Sequence, residues 1–314
     1  MSTSVLRTAD AWWVATPAGA ARIITAATTT AELLADRAAI AAAGGAGAAT
    51  VPVDRLALVS PVTAPCRLVA QATNYASHVR DVGLNPDQVP LTFFRKASGS
   101  IGGPHDDIVR PAHVTLLDYE LEIGLVIGRE LPVGTTVTDD NWKDYVAGLV
   151  VTNDISARDI QLPKTQFFES KSYPTFTPVG PALVLVDHDD LKRFDDLSLQ
   201  LWVNGELRQD AVVGGDMMYP PVEALQALSR FQRLDPGDLV LTGTPVGTAL
   251  SGGPKPVAAV VSLLPPALKW KLFLPHQAKN PKYLHDGDVI EATIATGDGA
   301  IDLGRQRTTV RDAR

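Results

Sequence analysis

Glu120 and Glu122 stand one residue apart in the run Asp118-Tyr119-Glu120-Leu121-Glu122. Successive side chains on a strand point to opposite faces, so Asp118, Glu120 and Glu122 would share one side and Leu121, Ile123 and Leu125 the other. The pattern then turns apolar through Leu125-Val126-Ile127, as a strand buried on both faces does. Two glutamates at the mouth of a buried strand repel each other and are costly to desolvate unless a cation sits between them. An all-oxygen ligand set favours a hard ion such as Mg2+, Mn2+ or Ca2+. The plainer alternative is a half-exposed strand with a solvated acidic face. Asp154, at the end of the apolar run 146–152, is the natural third oxygen ligand, or else an Asx turn closing a strand.

Other residues could add chemistry to such a site. His78 and Asp81 lie three apart in Asn74-Tyr75-Ala76-Ser77-His78-Val79-Arg80-Asp81, so one helical turn puts them on one face. A carboxylate beside an imidazole orients it and raises its basicity, which suits a general base. A chance ion pair on a surface helix would look the same. Arg158 follows Asp154 closely and brings a guanidinium near it, and Lys171 precedes a segment with three prolines. Leu239-Val240-Leu241 opens into Thr242-Gly243-Thr244-Pro245, where backbone amides and a hydroxyl could approach a carboxylate.

The elements that must hold these residues are mostly strands. Short strands are expected at 68–72, 90–95 (with Lys96 at its end), 116–128, 146–152, 181–186 and 197–203. The last of these leads into an Asn204-Gly205 hairpin turn. Residues 11–27 read as a hairpin, and Thr30 as the N-cap of a helix running to about Ala43. A short helix is expected near 139–145 and an amphipathic one over 222–231, with Val222, Leu225, Leu228 and Phe231 on one side. Gly44-Gly45-Ala46-Gly47 begins a linker. The fold class is therefore α+β, mainly β: a small N-terminal α+β domain over 1–60 and a larger domain over 66–314.

Composition narrows the function. A net charge of −7 without a basic cluster argues against nucleic acid as the main partner. Cys66 is the only cysteine, which excludes an internal disulfide and a thiolate metal site. The glycine- and serine-rich loop 98–104 lacks the spacing of a phosphate-binding loop. Residues 1–10 lack the apolar core of a signal peptide, and the run 257–264 is too short to span a bilayer, so a cytoplasmic enzyme with no membrane partner is expected.

Five motifs together resemble the fumarylacetoacetate hydrolase family. They are Asn74-Tyr75-x-x-His78; Asp118-Tyr119-Glu120-x-Glu122; Asn153-Asp154-x-Ser156-Ala157-Arg158-Asp159-x-Gln161; Lys171-Ser172 with Thr175-Phe176-Thr177-Pro178-x-Gly180-Pro181; and Gly237-Asp238 with Leu241-Thr242-Gly243-Thr244-Pro245. They occur in the family's order, from about residue 66 onward, and each is weak alone. Residues 1–60 resemble only the general layout of the family's small N-terminal domain.

The resemblance implies a mixed β-sandwich roll, usually as a homodimer. It implies a divalent metal on Glu120, Glu122 and Asp154, with Mg2+ the expected ion and Asp118 left off it. It places His78 on a mobile lid. The implied activity is metal-dependent hydrolysis of a carbon–carbon bond in a β-diketone or 2,4-dioxo acid of the acylpyruvate kind, through a stabilised enolate. His78 and Asp81 would activate water, Lys171 would face developing oxyanions, and Arg158, Gln161 and Thr244 would hold the oxo-acid substrate. A decarboxylase, hydratase or isomerase of a 2-oxo acid could share this site, and a non-catalytic metal-bound scaffold is a further alternative.

Three positions depart from the family pattern. Asp81 stands where glutamate is common, Ala97 follows Lys96 where proline is usual, and residues 249–284 form an unusually long insertion. The insertion is expected to add surface or interface packing, or else to wall the pocket.

Overall fold

The structure is a computed structural model that describes residues 2–45, 47–164, 167–250 and 265–313. Its larger sheet has ten strands. From one edge these are Thr50–Val51, Gly19–Arg22, Trp12–Thr16 and Thr3–Arg7, followed by Leu183–Leu185, Val146–Asn153, Leu121–Ile127, Leu239–Leu241, Leu68–Ala72 and Thr92–Lys96. The pairing of Leu239–Leu241 with Leu68–Ala72 is parallel and the other pairings are antiparallel. A second sheet of five strands runs Glu206–Val212, Leu197–Val203, Val289–Thr296, Asp302–Asp312, Asp107–Arg110. Mixed pairing and a predominance of strand match the expected mainly-β roll.

The core lies between the sheets. Leu121, Ile123, Leu125 and Ile127 point to one side of their strand and join Leu199, Leu201, Ile290 and Ile294 from the second sheet. Full burial of side chains of this size contributes roughly 2 kcal/mol each. Val126 and Val150 face the other way, into a cluster with Leu33, Leu34 and Ile40 from two short helices. The central strand is thus apolar on both faces, as its sequence requires.

The segment 1–60 continues the larger sheet, because Thr3–Arg7 pairs antiparallel with Leu183–Leu185. Its hairpin is Trp12–Thr16 with Gly19–Arg22. The expected helix is two, Thr30–Ala35 and Arg37–Ala43. Thr29, not Thr30, is the N-cap, in a capping box with Glu32. Asp36 ends the first helix and its side chain accepts from Ala39 N–H to start the second.

Other local expectations shift as well. The region 139–145 holds a single 3-10 turn, Trp142–Asp144. The amphipathic helix runs Pro221–Ser229, leaving Phe231 beyond it and exposed. Asn204 and Gly205 both have positive φ, 52° and 79°, the tight hairpin turn expected of that pair. Among the described residues no helix is long and apolar enough to cross a membrane.

Candidate metal centre and active site

The acidic run is not one strand. Leu117–Asp118 pairs with Ser156–Ala157, and Leu121–Ile127 belongs to the large sheet, with Tyr119 and Glu120 between them outside either strand. The break separates Asp118 from the glutamates. Asp118 accepts from Arg158 Nε at 2.8 Å and from the backbone N–H groups of Ala249 and Leu250 at 2.7 and 3.1 Å. Tyr119 N–H donates to Asp118 Oδ1 as well, at 2.8 Å, so Asp118 is taken up by these donors and does not join the oxygens that Glu120, Glu122 and Asp154 bring together.

Glu120, Glu122 and Asp154 do converge. They are buried, and one carboxylate oxygen from each lies within 4.8 Å of the others. The backbone fixes this. Asp154 N–H donates to Glu120 O at 2.7 Å, and Glu120 N–H donates to Asn153 Oδ1 at 2.9 Å. Glu122 sits within the strand register opposite Thr152.

Three cations surround the carboxylates. Arg158 Nη2 donates to Glu120 Oε1 at 2.5 Å. Lys171 Nζ lies between Glu120 Oε2 and Asp154 Oδ2, at 2.5 and 2.6 Å. Lys96 Nζ donates to Asp154 Oδ1 at 2.5 Å and to Phe176 O at 2.9 Å. Lys171 is delivered by the short helix Phe168–Lys171, and its ammonium also lies 5.2 Å from the centre of the Phe94 ring. Lys96, which the sequence reading placed only as a strand end, is a buried member of the site. The available signal was strand alternation, which puts Lys96 on the same face as Phe94 and opposite Arg95.

Four buried carboxylates face three buried cations, and Glu122 is the one with no ion pair among the described residues. The one hydrogen bond to its carboxylate among the described residues comes from Gly243 N–H at 2.6 Å. Burial, then Asp154 and Glu120, pushes its pKa well above the carboxylate range. Burial would raise Glu120 too, but Arg158 and Lys171 outweigh it and hold that group below the usual range. A divalent cation among these oxygens would stabilise the Glu122 charge, and the hard, all-oxygen donor set fits one.

His78 lies on the helix Ala76–Asp81 and is buried. Burial, partly opposed by Glu120, lowers its pKa, so the imidazole is neutral at pH 7. Its Nδ1 has no hydrogen-bond partner, and neither has Asn153 Nδ2. Buried polar atoms of this kind are rare unless they serve a ligand. Asp81 is only half-buried, and no hydrogen bond among the described residues joins it to His78. Sharing a helical face did not bring the pair together.

The expected substrate-holding groups are bound to the protein itself. Arg158 Nη1 donates to Gln161 Oε1 at 2.8 Å, which completes its set of carboxylate and amide partners. The Thr244 hydroxyl donates to Leu121 O and accepts from Gln209 Nε2, at 2.9 and 2.8 Å. Gly243 has φ +83°, and a Cβ there would lie 2.7 Å from Asn74 Cβ, so only glycine lets this loop offer its N–H to Glu122. The Gly-Thr-Pro loop grips the protein's own carboxylate. Gln209, which donates also to Pro245 O and accepts from Leu121 N–H, ties that loop to the acidic strand and carried no sequence signal.

Of the insertion, residues 251–264 lie outside the described residues. The remainder forms the helix Pro266–Gln277, which packs beside Arg158–Lys164. Tyr283 is buried against Leu116 and Ala249, and Asn280 Nδ2 donates to Ala249 O. The insertion is therefore anchored on the Asp118–Arg158 side of the carboxylates.

Residues 67–311 match the family model described as "Fumarylacetoacetate (FAA) hydrolase C-terminal". The chain belongs to the fumarylacetoacetate hydrolase family. Among family relatives, the rat mitochondrial oxaloacetate tautomerase Fahd2a is 34% identical over 201 residues, 64% of this chain and 62% of that one. The match thus spans less than two thirds of that relative's length. The oxaloacetate tautomerase YisK of Bacillus subtilis (strain 168) is 33% identical over 242 residues, 76% of this chain and 69% of its own. The crystal structure of a probable 2-hydroxyhepta-2,4-diene-1,7-dioate isomerase from Mycobacterium abscessus aligns over all of both chains, with a TM-score of 0.75 and 31% identity.

Proposed function

We propose that this enzyme interconverts the enol and keto forms of a 2-oxo dicarboxylic acid, with oxaloacetate the first candidate. The reading rests on His78: a neutral, buried imidazole at the carboxylate cluster with Nδ1 unpartnered and no bond to Asp81. The named activities of the two relatives support it. Glu120, Glu122 and Asp154 would hold a hard divalent ion, with Mg2+ the first candidate, which when bound would polarise the 2-oxo group.

The residues of the chain do the rest. In the enol-to-keto direction the hydroxyl on C2 loses a proton and C3 gains one. No carbon–carbon bond breaks and no water is consumed. His78 carries the proton, and its lowered pKa keeps it in the form that can accept one. Lys171 and Arg158 hold positive charge beside Glu120 and stabilise negative charge developing nearby. His78 and Val79 of the 76–81 helix are buried, which keeps the proton carrier away from bulk water.

Hydrolysis of an acylpyruvate is the second reading, since it uses the same carboxylates. It needs an activated water, and so a base stronger than an unassisted His78. Enol loss from oxaloacetate, followed by ultraviolet absorbance with Mg2+ or Mn2+, tests the first reading against acylpyruvate cleavage. Acceleration over the metal-containing buffer is expected. His78→Ala should remove about 100-fold or more of it, and Asp81→Asn less than about threefold. No acceleration by the wild type, alongside acylpyruvate turnover, would replace the first reading with the second.

A further inference from the structure

We infer that Ser77 and Asp216 form a latch that positions His78 and at the same time holds the loop that orients Glu122. This deepens the reading above, in which Glu122 binds the metal and His78 carries the proton. Asp216 Oδ1 accepts the Ser77 N–H at 2.7 Å, and Oδ2 accepts the Ser77 hydroxyl at 2.5 Å. The Asp216 backbone oxygen accepts Ala76 N–H at 2.8 Å. One residue therefore takes the first two amides of the helix that carries His78.

Ser77 has a second attachment. Its Oγ accepts the N–H of Val246 at 3.3 Å. Val246 lies three residues beyond Gly243, whose N–H holds Glu122 at 2.6 Å. A parallel link runs through Asn74: its Nδ2 donates to Thr242 O at 2.8 Å, and its Oδ1 accepts Tyr219 N–H at 2.8 Å. Met218 N–H closes the circuit on Asn74 O at 2.8 Å. Three segments, 74–81, 213–219 and 242–246, are thus tied to one another immediately behind the proton carrier and a metal ligand.

The consequence is a linkage. Displacing the helix start that carries His78 breaks the Ser77 bonds to Asp216 and Val246. Breaking them removes the tie at Val246 from the loop whose Gly243 N–H holds the Glu122 carboxylate, and leaves that loop to its bonds at Asn74, Leu121 and Gln209. Whatever cation Glu122 helps to bind must then favour the seated His78, and by reciprocity a seated His78 must favour the cation. Ser77 and Asp216 act as positioning residues; neither needs to touch substrate.

The test uses the full chain with Mn2+ as probe. Amide hydrogen exchange over residues 76–82 and Mn2+ affinity by calorimetry are measured for wild type, Asp216→Ala, Ser77→Ala and Ser77→Thr. Mn2+ should slow exchange over 76–82 in wild type, although no metal ligand lies there. Both alanine variants should lose that protection and bind Mn2+ about tenfold more weakly. Ser77→Thr, which keeps the hydroxyl, should restore both. In the turnover assay kcat should fall more than KM rises. Exchange and Mn2+ affinity equal to wild type in Ser77→Ala would overturn the latch, even if Asp216→Ala failed to fold. Failure of wild type to turn over oxaloacetate would sink the proposed reaction but leave both readouts of the latch in place.

Discussion

Lys96 Nζ and Asp154 Oδ1 meet at 2.5 Å with both side chains sealed from solvent. The second oxygen of Asp154 is held by Lys171 at 2.6 Å. Removing one partner of a buried pair leaves an uncompensated charge, at a typical cost of about 3–5 kcal/mol. Because Lys171 remains, Lys96→Ala should lie at the low end, about 3 kcal/mol. Urea unfolding in EDTA measures this; a loss below about 1 kcal/mol would show that the pair is not sealed.

The same chemical change should have opposite effects at two glutamates. Glu122 is held above its ordinary pKa by burial and by two neighbouring carboxylates, so its charge destabilises the metal-free fold. Glu122→Gln, whose amide oxygen can still accept Gly243 N–H, should raise stability in EDTA by about 1–2 kcal/mol. Glu120 is held below its ordinary range by Arg158 and Lys171, so Glu120→Gln should lower stability by a similar amount or more. Both should abolish stabilisation by added Mg2+ or Mn2+. Thermal unfolding with and without metal reads all four quantities, and equal signs for the two variants would contradict this electrostatic account.

Proton uptake by His78 sets an acid limit. Burial lowers its pKa below 6.5, so beneath that value the unfolded chain takes up a proton that the native imidazole refuses. The unfolded state then binds more protons, and stability falls as pH drops through the window below 6.5. His78→Gln should remove that part of the slope. For the same reason the acid limb of kcat/KM should lie below pH 6.5. A pH–rate profile between about pH 5 and 8 checks it, and a limb at 7 would contradict a buried, unassisted imidazole.

Cys66 should be inert. Burial, and then Asp238, pushes its thiol up to about 12. The thiolate is the nucleophile, so the native protein should resist iodoacetamide at pH 8 and label only on unfolding. Mass spectrometry before and after urea distinguishes the two; rapid labelling of folded protein would count against the packing around Leu68.

The parts legible in the sequence were those with local causes. The apolar alternation of Leu121, Ile123 and Leu125 needs only the strand repeat, and Asn204-Gly205 needs only a turn with positive φ at both positions. Glu120, Glu122 and Asp154 came together because two of them share a strand end and the third ends its neighbour. What was hidden depended on partners far along the chain. Asp118 turns toward Arg158, 40 residues away, and the Thr244 hydroxyl is taken up by Gln209. Lys96 reaches Asp154 across 58 residues, a pairing no spacing rule encodes. His78 and Asp81 erred the other way: a helical interval permits contact, but burial of one and partial exposure of the other keeps them apart.

The pairing of Thr3–Arg7 with Leu183–Leu185 bears on how this protein can be cut. The family match begins at residue 67, which invites a minimal fragment starting there. Such a fragment would bare Val184 and its neighbours as an open edge one strand away from Val146–Asn153, and an apolar edge of that kind recruits other chains. The sequence-defined catalytic unit is thus shorter than the hydrogen-bonded one, and soluble truncations should retain the first strand.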